Sequence, residues 1–252
     1  MTINSNPTLV KLSPRLSALS GFIERGESIA DIGTDHAQLP IYLRQTGICS
    51  HVVLCDVKLG PISKAKENIN LYAPNFKFDL RLGDGFSVID TGEVDSAVIA
   101  GMGGLLLINI LEADIIKTKS IKKLILQPRK DKALLVKWLL TNNFDITDET
   151  LVKEGRNICE ILVAIPFLDD TSKRIFVVND PLWDYEISPI LLNKKDPLLK
   201  EFISRKILTE KKIIKSIMDS RNSTANSDKQ RKAETRMIKL IEFFNILKES
   251  EK

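Results

Sequence analysis

Residues 28–45 read SIADIGTDHAQLPIYLRQ, and this stretch decides the fold class of the chain. The apolar run from Ser28 to Ile32 has the length of a buried strand, and the segment from Ala37 to Gln45 carries apolar residues at helical spacing. Gly33 lies between them, where the strand must turn into the helix. A strand, a tight turn and a helix in this order form the repeating unit of a parallel α/β sheet.

The same alternation continues as far as Asn142. Further short apolar runs cover His51 to Cys55, Phe76 to Leu82, Asp95 to Ala100 and Lys123 to Gln127. Segments of helical spacing lie at Ile62 to Leu71, Gly104 to Glu112 and Lys132 to Asn142. Strands that alternate with helices predict a doubly wound, mostly parallel sheet of the Rossmann-like type.

Both ends of this region carry further signals. Ser13-Pro14 is typical of a helix start, because serine caps a helix and proline fits its first turn, so we expect a short helix to about Phe22. Phe144 to Leu151 and Ile158 to Ile165 flank Gly155 and predict an antiparallel hairpin at the edge of the sheet.

The character of the chain changes after Pro166. We expect residues 167–179 to form a connection and the chain to be helical from Pro197 onward. Two series of residues alternate spacings of three and four, which is typical of coiled-coil seams: Ile203, Ile207, Glu210, Ile214 and Ile217, then Met237, Leu240, Phe244 and Leu247. The polar run Ser220 to Ser227 separates them. The sequence predicts two domains, a sheet domain over residues 1–166 and, over residues 167–252, a linker and an antiparallel helical coiled-coil hairpin.

The composition is that of a soluble globular protein, with 43% hydrophobic and 28% charged residues. The most apolar window, Met102 to Leu111, is interrupted by Asn109 and is shorter than the roughly 20 residues of a membrane span. Met1 to Leu12 lacks the basic patch and apolar run of a secretory signal. We therefore expect a cytoplasmic protein that does not enter a membrane.

Residues that bind metals are few and scattered. No two cysteines form a CxxC pair, and the two histidines stand apart from any cluster with ligand spacing. We therefore expect no metal site and no disulfide framework.

Charge is unevenly distributed along the chain. Residues 194–252 contain 16 lysine and arginine residues against 9 aspartate and glutamate residues, a net charge of +7, whereas the whole chain has a net charge of +4. A basic helical segment of this kind either binds the phosphate backbone of a nucleic acid or is a solvated face rich in lysine. The composition leaves both interpretations open.

The loops that follow the first two predicted strands are rich in carboxylates. Parallel sheets bind ligands at the carboxyl ends of their strands, and Asp56 there is placed to accept both hydroxyls of a cofactor ribose. A dinucleotide site requires G-x-G-x-x-G, but only Gly33 fits, and Asp35 would lie close to phosphate oxygens. S-adenosylmethionine (SAM) has no phosphate and carries an ammonium group and a sulfonium cation, which suit Asp31 and Asp35. The loop therefore favours SAM.

Glycine-rich segments follow the later strands. In Gly83-Asp84-Gly85, Asp84 is expected to accept from the adenine amino group of the cofactor. The segment from Ala100 to Gly104 lets the backbone pass beneath the reacting centre, and the fifth strand ends in Gln127-Pro128-Arg129. Each segment also has a purely structural interpretation, as turn glycines or, for His36, as a helix-start residue.

Together these segments resemble the TrmK family of bacterial tRNA (adenine-22-N1)-methyltransferases. The resemblance is carried by DIGTDHAQLP at 31–40, Gly60-Pro61, Gly83 to Gly85, AGMGG at 100–104 and Leu126 to Pro128. It implies a class I SAM-dependent fold, a C-terminal coiled-coil module and methylation of N1 of an adenosine in the D-arm region of tRNA, with position 22 expected. The chain departs from the family's usual residues at Gln38 (tyrosine), Asp56 (glutamate) and Arg129 (asparagine).

The resemblance also implies which residues form the site. The residues expected to bind the cofactor are Asp31, Gly33, Asp35, His36, Leu39, Pro40, Asp56, Gly83, Asp84, Gly101 and Met102. As hypotheses, Asp35 orients the base and supports it electrostatically, Gln127 hydrogen-bonds the base edge, and Met102 and Gly103 form the floor of the pocket. The candidates for gripping tRNA phosphates are Lys211, Lys212, Lys215, Lys229, Arg231, Lys232 and Arg236.

Three other functions fit parts of the sequence. A methyltransferase of a small molecule would have the same cofactor loops but less use for the basic hairpin. An NAD-dependent oxidoreductase would require the missing glycine fingerprint, and a non-catalytic relative would bind tRNA with Arg129 in the acceptor pocket. A monomer or a weak homodimer is expected.

Overall fold

A computed structural model describes residues 8–167, 185–219 and 225–249. The chain divides into two compact units, one that ends at Ile190 and one that begins at Leu191. Tyr185 and Ile190 belong to the core of the first unit. The predicted domain boundary at residue 166 stays a prediction, because most of the predicted connection lies outside the described residues.

The first unit contains a seven-stranded mixed sheet. Its strands are β1 (Ile29–Ile32), β2 (Val52–Asp56), β3 (Asp79–Leu82), β4 (Ser96–Met102), β5 (Lys123–Pro128), β6 (Phe144–Glu154) and β7 (Asn157–Pro166). The strand order is β3-β2-β1-β4-β5-β7-β6. The first five strands are parallel, and β7 is antiparallel to both β5 and β6. The predicted fold class, including the antiparallel edge, is confirmed.

Helices cover both faces of the sheet. They are α1 (Pro14–Ser20), α2 (Gln38–Gln45), α3 (Leu59–Tyr72), α4 (Gly104–Glu112), α5 (Ile115–Ser120) and α6 (Lys132–Thr141), with a 3-10 turn at Gly85–Val88. Strand residues alternate between two cores. Ile29 packs with α1, α2 and α3, whereas Ala30 and Ile32 pack with α4 and α6. A parallel sheet is buried on both faces, which explains why its strands are continuous apolar runs.

Two elements begin three residues away from their predicted starts, whereas the other starts in the sheet domain agree to within one residue. α3 begins at Leu59 instead of Ile62, because proline is tolerated in a first turn, where N–H groups have no partner within the helix, and Pro61 lies there. β3 begins at Asp79 instead of Phe76, since its pairing with β2 starts opposite Val53.

The sequence does not predict α5. Its N-cap Asp114 accepts a hydrogen bond from the Lys117 N–H at 2.9 Å, a cap preference that the sequence does contain. Six residues are too few to show a helical period, so the cap has no pattern to support it.

The second unit contains α8 (Leu199–Met218) and α9 (Ala225–Glu249), preceded by α7 (Pro189–Lys194) at its boundary. Only six residues separate α8 and α9, so α9 runs back along α8, as expected for a helical hairpin. The Arg236 guanidinium on α9 donates to both carboxylate oxygens of Glu210 on α8, at 3.0 and 2.9 Å. The second helix begins inside the predicted connection of residues 220–227, of which 220–224 lie outside the described residues.

Across the described residues, no helix combines the length and apolar character that crossing a membrane requires.

Candidate active site

The strand order reverses between β1 and β4. β2 and β3 lie on one side of β1, and β4 lies on the other side. In doubly wound sheets, ligands bind in the crevice that this reversal leaves at the carboxyl ends of the strands. The loops after β1, β2, β4 and β5 all open at this edge.

The loop after β1 requires glycine at position 33. Gly33 has a φ of +79°, and a Cβ there would lie 2.1 Å from the Met102 Cε. The Gly33 and Thr34 N–H groups donate to the Cys55 carbonyl at 2.8 and 2.9 Å, which holds the loop against β2. The structure therefore brings together Gly33 and Met102, two residues expected at the cofactor.

Asp31 is a half-buried carboxylate at this edge. Burial raises its pKa to about 6, although the Thr34 hydroxyl and the Arg15 guanidinium oppose the rise, and Asp56 adds to it. Burial destabilises the charged form of a carboxylate, and a cation that binds beside it stabilises that form. Asp31 is thus suited to an ammonium or sulfonium group.

Asp35 and His36 point outward from the same loop. The Asp35 side chain is 70% exposed, and its carboxylate lies 3.3 Å from the His36 Nε2. The His36 carbonyl accepts from the Asn68 side chain at 2.9 Å, which ties the loop to α3. Leu39 and Pro40 are buried in the first turn of α2. Their contact with the cofactor stays a prediction.

Asp56 joins the second and third loops. Its Oδ1 accepts from the Lys58 N–H at 2.8 Å, and its carbonyl accepts from the Gly83 N–H at 3.0 Å. A Cβ on Gly83 would lie 2.1 Å from the Val88 Cγ1, so the turn itself requires glycine. Asp84 follows as an exposed carboxylate.

The loop after β4 packs closely on the loop after β5. The Arg129 N–H donates to the Met102 carbonyl at 2.7 Å, and the Gly104 N–H donates to the Lys130 carbonyl at 2.9 Å. The pairing is interrupted between Ala100 and Met102, at a bulge where Gly101 has a φ of +79°. A Cβ on Gly101 would meet no atom within 4 Å, so the backbone there faces open space.

Gln127 lies beneath this bulge. Its side chain is 2% exposed, and its Oε1 accepts from the Gly101 N–H at 3.1 Å and from the Arg15 Nη1 at 3.4 Å. Its Nε2 donates to the Pro128 carbonyl at 2.9 Å. This geometry favours a role for Gln127 in holding the loop after β4. Its expected contact with the base edge stays a prediction. The sequence does not indicate Arg15, because nothing local marks its contact with a strand end 112 positions away.

The basic candidates on the helical hairpin fall into two groups. Lys211, Lys212, Lys215 and Lys229 are exposed. Arg231 and Lys232 both pair with Asp228, at 3.0 and 2.8 Å. The Arg236 guanidinium donates to Glu210 between the helices, and its expected role at phosphates stays a prediction.

This sheet and its site are those of a methyltransferase domain, and the family of that description matches residues 12–162. The Bacillus subtilis (strain 168) tRNA (adenine(22)-N(1))-methyltransferase is 37% identical over 155 residues, which are 62% of this chain and 65% of that relative's length. A crystal structure of the B. subtilis m1A22 tRNA methyltransferase TrmK is 30% identical with a TM-score of 0.78, covering 93% of this chain and 99% of that chain. A Streptococcus pneumoniae protein crystallised with SAM is 26% identical with a TM-score of 0.77, covering 93% of this chain and all of that chain. The chain belongs to the TrmK family.

Proposed function

We propose that this protein is a SAM-dependent methyltransferase that methylates N1 of adenosine 22 in tRNA. The observation that carries the proposal is the arrangement of Asp31, Gly33 and Asp56 at the ends of two adjacent parallel strands, next to the Gly101 bulge. The B. subtilis relatives carry this activity in their names, and the S. pneumoniae relative binds SAM.

The site fits SAM through its carboxylates and its open glycine backbone. In this proposal, Asp56 accepts hydrogen bonds from the ribose hydroxyls, Asp31 pairs with the ammonium group, and Asp84 accepts from the adenine amino group. When bound, SAM supplies an electrophilic methyl group. The Gly101 bulge leaves space at the reacting centre, and Met102 borders it through its approach to Gly33.

Methylation of adenine N1 requires no prior proton removal, because this ring nitrogen has a free lone pair. The protein's tasks are therefore to orient the base, to exclude water and to stabilise the positive charge that the base acquires. Asp35 has an exposed carboxylate on the loop after β1 and is our candidate for the last task. No general base is part of this mechanism.

The target nucleotide must leave the folded tRNA before transfer, because its N1 is otherwise occupied or hidden. Such an enzyme recognises the shape of tRNA and grips phosphates away from the target base. The four exposed lysines of the hairpin, Lys211, Lys212, Lys215 and Lys229, are the candidates for this contact. A tRNA substrate also implies that the protein acts in the cytoplasm.

The test is to incubate the purified protein with SAM and unmodified tRNA from a strain that lacks it. Digestion and mass spectrometry then quantify methylated nucleosides, and reverse-transcription stops locate them. We expect 1-methyladenosine at position 22, loss of product in Asp56→Ala, and full activity in Asp90→Ala, which removes an exposed carboxylate outside the site loops. Binding of SAM and tRNA without any methylated product would contradict the proposal and support a non-catalytic relative.

A further inference from the structure

Arg15 connects three elements at the edge of the site. It lies on α1 and is half-buried, and its Nε donates to the Glu154 carboxylate at the end of β6, at 3.0 Å. Its Nη1 lies 3.4 Å from the Oε1 of Gln127 on β5. The two partners are 139 and 112 positions away along the chain. One guanidinium therefore joins the N-terminal helix to two strands.

The contact with Gln127 continues to the Gly101 bulge in the loop after β4. The same Gln127 Oε1 accepts from the Gly101 N–H, at the bulge that carries the chain into Met102 and Gly103. Gly101 has a φ of +79° and a Cβ there would touch no neighbour, so no side chain packs against this residue from that side. The residue after it is held by its backbone, because the Met102 carbonyl accepts from the Arg129 N–H at 2.7 Å. At Gly101 itself, the buried Gln127 carboxamide is the side-chain support that the structure shows, and Arg15 contacts the oxygen that provides it.

The charge of Arg15 is compensated where it lies. The guanidinium contributes to lowering the pKa of Glu154, after the Ser13 side chain and against burial, so that carboxylate stays charged beside it. A second, more distant carboxylate, Asp31, is also stabilised by Arg15. The pair with Glu154 matters chemically, because an uncompensated cation at this edge would oppose the positive charge that the methylated base acquires.

We propose that Arg15 is a positioning residue for methyl transfer, which acts through Gln127 to hold the Gly101 bulge beneath the acceptor base. The inference rests on the proposed function and deepens it. The alternative is that Arg15 only fastens α1 to β6 through Glu154. The two roles differ in their consequences. If Arg15 only holds α1 against β6, its loss lowers stability alone, whereas displacement of the loop after β4 lowers kcat.

Two substitutions separate these roles. Arg15→Gln removes the charge, whereas Arg15→Lys keeps an ion pair with Glu154 but lacks the planar fork that reaches two partners at once. We expect kcat for tRNA methylation to fall by about tenfold or more in both, while the dissociation constant of SAM changes less than about threefold. We expect the melting temperature to fall in Arg15→Gln and to stay near the wild-type value in Arg15→Lys. Arg25→Gln is the control, because it removes an exposed arginine that hydrogen-bonds the Gly47 carbonyl far from the site.

A double-mutant cycle with Gln127→Ala provides the decisive measurement. If Arg15 acts through Gln127, Arg15→Gln lowers kcat no further in the Gln127→Ala background. The inference is overturned if the two substitutions lower kcat by factors that multiply, or if Arg15→Lys keeps the wild-type kcat. The proposed function still holds in either case, provided that the wild-type protein methylates tRNA. Absence of 1-methyladenosine with the wild-type protein would overturn both.

Discussion

Two glycines at the carboxyl edge of the sheet, Gly104 and Gly33, differ in the atoms that a side chain at their position would meet. A Cβ on Gly104 would lie 2.4 Å from the Asp131 carbonyl oxygen, and backbone cannot move aside as a flexible side chain can. The Gly33 contact differs, because the atom it would meet is the end of the Met102 side chain. Both positions read as turn glycines in sequence, but only Gly104 is restricted by neighbouring backbone.

We predict that Gly104→Ala destabilises the protein by about 1–3 kcal/mol, because the loops after β4 and β5 must separate to admit the methyl group. Urea unfolding measures this difference. Gly60→Ala is the control in α3, where a Cβ meets nothing within 4 Å beyond the neighbouring residues of the chain. The helix propensity of alanine and the restriction by the following Pro61 oppose each other, so we expect the free energy of unfolding to change by less than about 1 kcal/mol. Equal stability of the two variants would contradict the close approach at Gly104.

We predict that SAM binding depends on pH through Asp31. Its raised pKa of about 6 means that the carboxyl is largely neutral at about pH 5 and charged at about pH 7. Only the charged form attracts the ammonium group of SAM, so we expect affinity to increase by up to about tenfold over this range. Calorimetric titration measures it. Asp31→Asn should bind SAM weakly and with a flat profile, and a flat wild-type profile would exclude this role for Asp31.

At the scale of elements, α6 is joined to the edge hairpin by a buried ion cluster. The Lys132 Nζ lies 2.6 Å from the Glu149 carboxylate and 3.2 Å from that of Glu160, and Lys132 and Glu149 are almost fully buried. Burial would lower the pKa of Lys132, but the two carboxylates raise it above its ordinary value. Burial also raises the pKa of Glu149, against the effect of Lys132. The Lys132 ammonium group therefore compensates the negative charge of both carboxylates.

We predict that Lys132→Met destabilises the protein by about 3–5 kcal/mol at neutral pH, because it leaves buried carboxylates without their cation. The loss should shrink on acidification, since Glu149 can then take up a proton. Urea unfolding of Lys132→Met and Lys137→Met at two pH values measures this. Lys137 is an exposed lysine on the same helix, and an equal loss in both variants would contradict the role of the cluster.

The α8–α9 hairpin shows how one pair specifies the alignment of two helices. Glu210 lies in the predicted coiled-coil seam, where a carboxylate is out of place unless it has a partner. Arg236 provides this partner with two parallel hydrogen bonds, a geometry that lysine cannot reproduce. Arg236 therefore stabilises the helix pair, and its contact with RNA stays a prediction.

At the scale of the whole molecule, positive charge is concentrated in the C-terminal segment. Residues 194–252 have a net charge of +7, against +4 for the chain. Part of this charge is paired within the helices, as with Arg231 and Lys232 at Asp228. The exposed lysines are therefore the better candidates for binding phosphates.

We predict that replacing four lysines together by alanine weakens tRNA binding: Lys211, Lys212, Lys215 and Lys229. The slope of the logarithm of the binding constant against the logarithm of the salt concentration should become shallower by about 0.7–0.9 per lost phosphate contact. SAM affinity should stay unchanged. Binding measured over a series of salt concentrations tests both statements, with Lys119→Ala as an exposed control on α5 of the first unit. Unchanged tRNA affinity would assign the hairpin a purely structural or oligomerising role.

The sequence alone determined the fold class, the strands of the sheet and most of the helices that cover it, and the positions of the loops at the carboxyl ends of the strands. These follow from local patterns, because hydrophobic period and turn glycines report which faces are buried and where the chain turns. It did not predict α5, which is too short to have a period.

Only the tertiary structure decided how the polar side chains are partnered. Arg15 reaches Gln127 and Glu154 because α1, β5 and β6 converge at one edge, and Lys132 gains its carboxylates because α6 packs on the hairpin. Gln127 faces the interior and Arg236 faces Glu210 for the same reason. A buried charge or amide must be satisfied by whatever the fold brings within hydrogen-bond distance, and these partners, 17 to 139 positions apart along the chain, leave no local signal of their contact.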